Sequence, residues 1–169
     1  QWIPLYQQLV IQLSSTTLQP ESLDLVEDQL VSQITEILQN GSPDQIHEVR
    51  SFIMTGSMNC RGISFSKLAE PLLPILMNEN RTEREKSEEC FLILMNDPKT
   101  IALLISILNE NENEDKDHAI LSLILQYVTK STLRQISSML PNVVDILSSL
   151  IKSEVVGIRR LSIMILVEF

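Results

Sequence analysis

Aromatic side chains are scarce in this chain: Phe, Trp and Tyr make up 4% of its 169 residues. Glycine occurs four times. β-Sandwiches and barrels rest on aromatic and β-branched packing and on Gly-rich turns, so both shortages argue against an all-β fold. Cysteine occurs twice, as Cys60 and Cys90, with no CxxC spacing. That leaves neither a disulfide framework nor a zinc-ligand pattern, and a reduced, intracellular protein is expected. Basic residues are also short: 13 Lys and Arg stand against 22 Asp and Glu, for a net charge of −9. Nucleic-acid surfaces need clustered cations, so that role is not expected. No apolar run reaches the ~18 residues of a membrane span, and no charged-then-apolar signal segment opens the chain. It starts at Gln1 rather than Met. The expectation is one domain, residues 1–169, taken from a longer protein.

What the chain has in quantity is aliphatic residues at helical spacing. Its hydrophobic fraction is 44%. Trp2 to Leu13 carries Ile3, Leu5, Leu9, Val10 and Leu13 and reads as an opening helix. Ser22 to Asn40 places Leu23, Val26, Leu30, Ile34, Ile37 and Leu38 on one stripe, and Asn40-Gly41 ends it. An Asn-Gly pair also turns hairpins, but the flanks have a 3.6-residue period, which excludes that reading. Ser42-Pro43-Asp44 is a cap with proline at the first helical position. Lys67 to Asn78 predicts a helix that Pro71 and Pro74 start late or kink. Thr82-Glu83-Arg84-Glu85 has the form of a capping box. Further helices are expected from Pro98, after the polar loop Asn109 to Asp117, and from a Ser131 cap through Leu133, Ile136 and Met139.

The last thirty residues show the unit most clearly. Val143, Ile146, Leu147, Leu150 and Ile151 make one amphipathic helix after Pro141. A polar break, Lys152 to Gly157, leads into a second helix through Ile158, Leu161, Met164, Ile165 and Leu166. The unit recurs. Ile37-Leu38, Ile75-Leu76, Ile107-Leu108 and Ile146-Leu147 each precede a polar turn, at spacings of 38, 32 and 39 residues. Such periods suit helix-pair repeats of the armadillo and HEAT sort, which run ~40–47 residues. The predicted fold is an all-α solenoid of antiparallel helix pairs, about ten helices in all. The final helix is apolar on nearly every side, so cover on two sides is expected, from the preceding repeat and from chain following Phe169.

Signs of chemistry are few. His47 and His118 have no ligand spacing around them, and surface positions are expected. The pairs Glu27-Asp28 and Glu88-Glu89 are neighbours that point apart on a helix, poorly placed for acid–base work. Asn109 to Asp117 alternates oxygen-bearing side chains, yet lacks the glycine and the register of a calcium loop. There is no Gly-x-Ser-x-Gly elbow and no Gly-rich phosphate loop. Asn40-Gly41-Ser42 and Asn80-Arg81-Thr82 match glycosylation sequons and are read as loop residues. The six methionines read as core filler. No enzyme, cofactor or metal is expected.

Leu140-Pro141 followed by a polar turn and Ile158-Arg159 is the HEAT pattern, with Leu73-Pro74 and Val49-Arg50 as partial echoes. Within HEAT proteins the chain most resembles the TOG-type domains of the CLASP family of microtubule-associated proteins. The residues that carry this are Lys130-Ser131-Thr132-Leu133, Met139-Leu140-Pro141, Leu68-Ala69-Glu70 and the run Arg159 to Val167. The resemblance implies a flat paddle that binds tubulin, or another cytoskeletal or spindle partner, through the turns inside each pair. Those turns map to Gly41–Gln45, Glu79–Glu85, Glu110–Asp117 and Lys152–Arg160. Candidate partner-binding residues are Arg81, Arg84, Lys152, Arg159 and Arg160, with Arg159 read as more structural and Arg160 as more exposed. A location in the cytoplasm, on the cytoskeleton or spindle, or in the nucleus, would follow. Two features depart from the family: the third turn is dense in Glu and Asp, and Asn40-Gly41-Ser42-Pro43-Asp44 carries no aromatic. The alternative is a generic HEAT/armadillo scaffold for a protein or peptide unrelated to microtubules.

Overall fold

Proline sets the start of several helices, because its missing N–H falls where no helical bond is made. In the computed structural model, which describes residues 20–59, 66–110, 113–132, 136–137 and 140–169, Pro20 opens α1 (Pro20–Asn40). Pro43 opens α2 (Pro43–Asn59), and its cap is reciprocal: Ser42 N–H donates to Gln45 Oε1 while Gln45 N–H donates to Ser42 Oγ. A short 3-10 turn (Ser66–Leu68) runs straight into α3 (Ala69–Leu76). Pro71 falls in the first turn of α3 and Pro74 lies inside it, which keeps this helix to two turns. The next helix, α4 (Arg81–Leu94), is capped by Asn80, whose side chain accepts from the N–H of Thr82 and Glu83. The expected Thr82 capping box is therefore corrected: the asparagine two residues earlier takes the cap, and Glu85, the acid of that box, pairs with Arg81.

Pro98 opens α5 (Pro98–Glu110), and Asn113 caps α6 (Glu114–Lys130) by accepting from Lys116 N–H. Most of the polar stretch Asn109 to Asp117 is thus helix end and helix start. Ser131 sits at the C-terminal end of α6. The helix expected after it lies largely outside the described residues, as does the one expected over Trp2 to Leu13. The chain closes with α7 (Leu140–Leu150) and α8 (Val156–Glu168). Among the described residues there are eight α-helices and no strand, so the protein is all-α.

Successive helices pack as pairs, α1 on α2, α3 on α4, α5 on α6 and α7 on α8. Alternate helices also touch. In one row α1 meets α3, the 3-10 turn before α3 meets α5, and α5 meets α7. In the other α2 meets α4, α4 meets α6, and α6 meets α8. The core runs continuously between the rows, from Leu30 and Ile34 through Leu72, Phe91, Met95 and Leu104 to Leu147 and Ile165. Polar contacts also cross from pair to pair. Lys67 Nζ lies 2.8 Å from Asp28 Oδ1, and Gln126 Nε2 donates to Glu88 Oε2. The buried Arg50 of α2 donates to Glu83 of α4 at both its side chain (2.5 Å) and its carbonyl oxygen (3.3 Å). Cys90 Sγ donates to the carbonyl oxygen of Arg50.

Candidate functional site

The turns inside the pairs are the sequence-nominated edge, and two of them are locked by the same device. Arg84, fourth residue of α4, donates from Nη1 to the carbonyl oxygens of Asn78 and Glu79 at 2.6 and 3.1 Å. Arg159, fourth residue of α8, donates from Nη1 to the carbonyl oxygens of Ser153 and Glu154 at 2.7 and 3.3 Å. In both cases the arginine reaches back six and five residues and ties the turn that leads into its own helix. A guanidinium does this because it carries several donors in a fixed fork. Two of the five nominated residues are therefore committed to holding turns.

The other three are exposed. Arg81 pairs with Glu85 one helical turn on, at 2.7 Å, and this contact raises its pKa. Lys152 lies in the turn between α7 and α8, and Arg160 on the next turn of α8. The five do not form one patch: Arg81 and Arg84 belong to the second pair, and the third pair stands between them and the rest.

The fourth amino acid of α6 breaks the pattern. Here the place of Arg84 and Arg159 is taken by Asp117, which is 1% exposed, with Oδ2 unpartnered among the described residues. Burial raises its carboxyl above the usual range, opposed by Lys116 and reinforced by Glu114. His118, next to it, is exposed and lies against Gly157, where an added Cβ would come within 3.2 Å of the imidazole. The start of α6 and the start of α8 are thus side by side.

Between the third and fourth pairs the edge opens into a cleft of about 660 Å³. Leu108, Ile146, Leu150 and Ile158 line its apolar part, and Asn109, Asn113, Glu114, Lys152, Ser153 and Glu154 supply the polar part. A second hollow of about 450 Å³, with Asn142 and Asp145, shares Asn109, Ile146 and Ser149 with the first. Together they make a groove along α5 and α7. Of the nominated residues only Lys152 lines it. Asn109 and Ser149 carried no signal in the sequence, because polar residues on a helix read as solvated face until packing brings two helices together. The exposed acids Glu110, Glu114, Asp115 and Glu154 set the charge around the cleft.

His47 is exposed on α2, apart from His118 on α6. Among the described residues no group of three His, Cys, Asp or Glu converges as a metal site would require, and no single helix is long and apolar enough to cross a membrane. Compared with protein-family models, curated proteins and solved structures, the chain matches none.

Proposed function

We propose that this chain is a non-enzymatic α-solenoid domain of the HEAT type that binds a protein partner along its intra-pair turns. The observation that supports it is the pattern of helix contacts. Each helix packs on its partner and on a helix two places away, the contact pattern expected of helix pairs stacked with their turns along one edge. The cleft between the third and fourth turns offers an apolar strip rimmed by Asn, Ser and Glu, a surface for a polypeptide rather than a nucleophile–base pair. Its acidic rim favours a partner segment rich in Lys or Arg.

A second reading is the tubulin-binding paddle that the CLASP resemblance implies. What favours it is Lys152 and Arg160, exposed near the fourth turn and able to face an acidic partner. Arg84 and Arg159 support it less, since Nη1 of each already holds two turn carbonyls. Charge reversal at Arg159 would confuse a lost contact with a loosened turn.

The two readings separate in one binding experiment. Wild type, Glu114→Lys/Glu154→Lys and Lys152→Glu/Arg160→Glu are each titrated with tubulin and with a Lys/Arg-rich peptide. The scaffold reading expects peptide binding that the acidic-rim variant loses. The paddle reading expects tubulin binding that the basic variant loses. Wild type that binds neither ligand at tens of micromolar would sink both.

A further inference from the structure

The last helix leaves an apolar stripe in solvent. Val156, Ile163, Met164 and Val167 are 66%, 51%, 43% and 77% exposed. At ~100° per residue they fall with Arg160 on about one third of the helix circumference. Ile158, Ser162 and Ile165, on the opposite side of α8, are buried. Single exposed aliphatic residues are ordinary, but a stripe at helical spacing marks a contact face. Within this chain α6 and α7 cover one side of α8, as expected of the preceding repeat, and the other side is exposed.

The two ends of the stripe carry opposite charges. Arg160 lies on it near its start and Glu168 flanks its end, ~40° beyond Met164, both exposed and neither ion-paired among the described residues. They stand eight residues, or ~12 Å, apart along the axis, too far to pair with each other. An antiparallel copy of the same helix supplies both missing partners at once. With a two-fold axis near Met164, Arg160 of one chain faces Glu168 of the other, and the reverse. The aliphatic residues between them then cover one another.

We propose that this stripe is a self-association surface on which a second copy of the chain docks its own α8 antiparallel to the first. A two-fold interface requires a patch complementary to itself, and the opposed terminal charges meet that requirement. One helix against one helix buries less than the ~800 Å² per partner of a standard interface, so the association is of micromolar strength or weaker. Each chain carries a net charge of −9, and the resulting repulsion opposes pairing at low salt. The test is therefore set at ~0.15 M ionic strength, where the screening length is ~8 Å.

Sedimentation equilibrium of the 169-residue chain, from tens to hundreds of micromolar, reads the outcome. The expected mass rises with concentration from 19.2 kDa toward twice that value. Val167→Asp is expected to hold the single-chain mass, with Ile163→Asp as a second disrupting variant and circular dichroism to confirm retained helix. Arg160→Glu and Glu168→Arg are each expected to weaken pairing several-fold, and the double exchange to recover it. A wild-type chain that keeps the single-chain mass throughout overturns the proposal. So does a dimer that Val167→Asp leaves intact, and failure of the double exchange overturns the antiparallel register. The readout needs no partner protein, so it is separate from the proposed function.

Discussion

Asp117 and Cys90 are both buried titratable groups, and burial acts on them in the same direction. For Asp117 the raised pKa means that ionisation weakens the fold. Stability attached to this group is present at low pH and is lost as pH rises through and above the ordinary carboxylate range. Asp117→Asn removes the charge while keeping the shape. At pH 7 it is expected to stabilise by about 1 kcal/mol, raising Tm by roughly 2–4 °C. Thermal melts should show that gain shrinking as pH falls through the ordinary carboxylate range and the aspartate itself takes up a proton. For Cys90, desolvation pushes the thiol from 9.0 to about 11, against the pull of Arg50. Thiolate is the reactive form, so a two-unit rise lowers its population about a hundredfold at neutral pH. In a Cys60→Ser background, alkylation of the folded protein should be at least that much slower than in denaturant. Labelling at equal rates would show Cys90 open to solvent.

At the scale of the element, turn chemistry decides where helices start and how their approach is held. Gly41 closes α1: its N–H reaches Ile37 O, and an added Cβ would collide with that same carbonyl oxygen. The glycine is needed for this close approach. Asn80 and Asn113 cap two of the even helices, while Val155, before α8, offers no capping side chain. There Arg159 stands in by holding two turn carbonyls from inside the helix. Arg159→Ala is expected to cost about 1–2 kcal/mol in chemical denaturation, and Arg159→Lys to recover only part, because an ammonium lacks the fork. Arg84→Ala should behave alike, with a smaller loss because Asn80 still caps α4. Equal loss in the Lys and Ala variants would show that bulk charge, not the fork, holds the turn. In the sequence both arginines were legible as conspicuous cations at a turn. Their direction was not, since a side chain reaching back to its own turn and one reaching out to a partner have the same spacing.

At the scale of the whole molecule, polar contacts join pair to pair, and Arg50–Glu83 is a largely buried ion pair among the described residues. The Arg50 side chain is 5% exposed and that of Glu83 32%. The Arg50 hydrogen bond is the first cause that lowers the Glu83 pKa, with Lys86 adding to it. A lowered carboxylate pKa contributes stability that is present above the ordinary carboxylate range and lost as pH falls through the folded value. Glu83→Ala leaves the guanidinium buried without its partner and is expected to cost about 2–3 kcal/mol, discounted for the partial exposure of Glu83. Because the contact ties the first pair to the second, hydrogen exchange in α2 should rise more than in α6. Uniform acceleration throughout would show that the pairs unfold as one unit.

The helical class and the starts and stops of several helices were settled by the sequence alone. Aliphatic periodicity of 3.6 together with Pro, Asn and Gly at the breaks leaves a backbone little else to form. The order of packing, each helix against its neighbour and against the helix two places on, came from tertiary structure, because sequence period says which face is buried and not what buries it. Tertiary structure also decided the fate of the site residues. Packing turned Arg84 and Arg159 inward to turn carbonyls, placed Asn109 and Ser149 in a groove with Lys152, and left one side of α8 uncovered between Arg160 and Glu168. A charge has one spacing in the chain, but its partners are set by which surfaces meet.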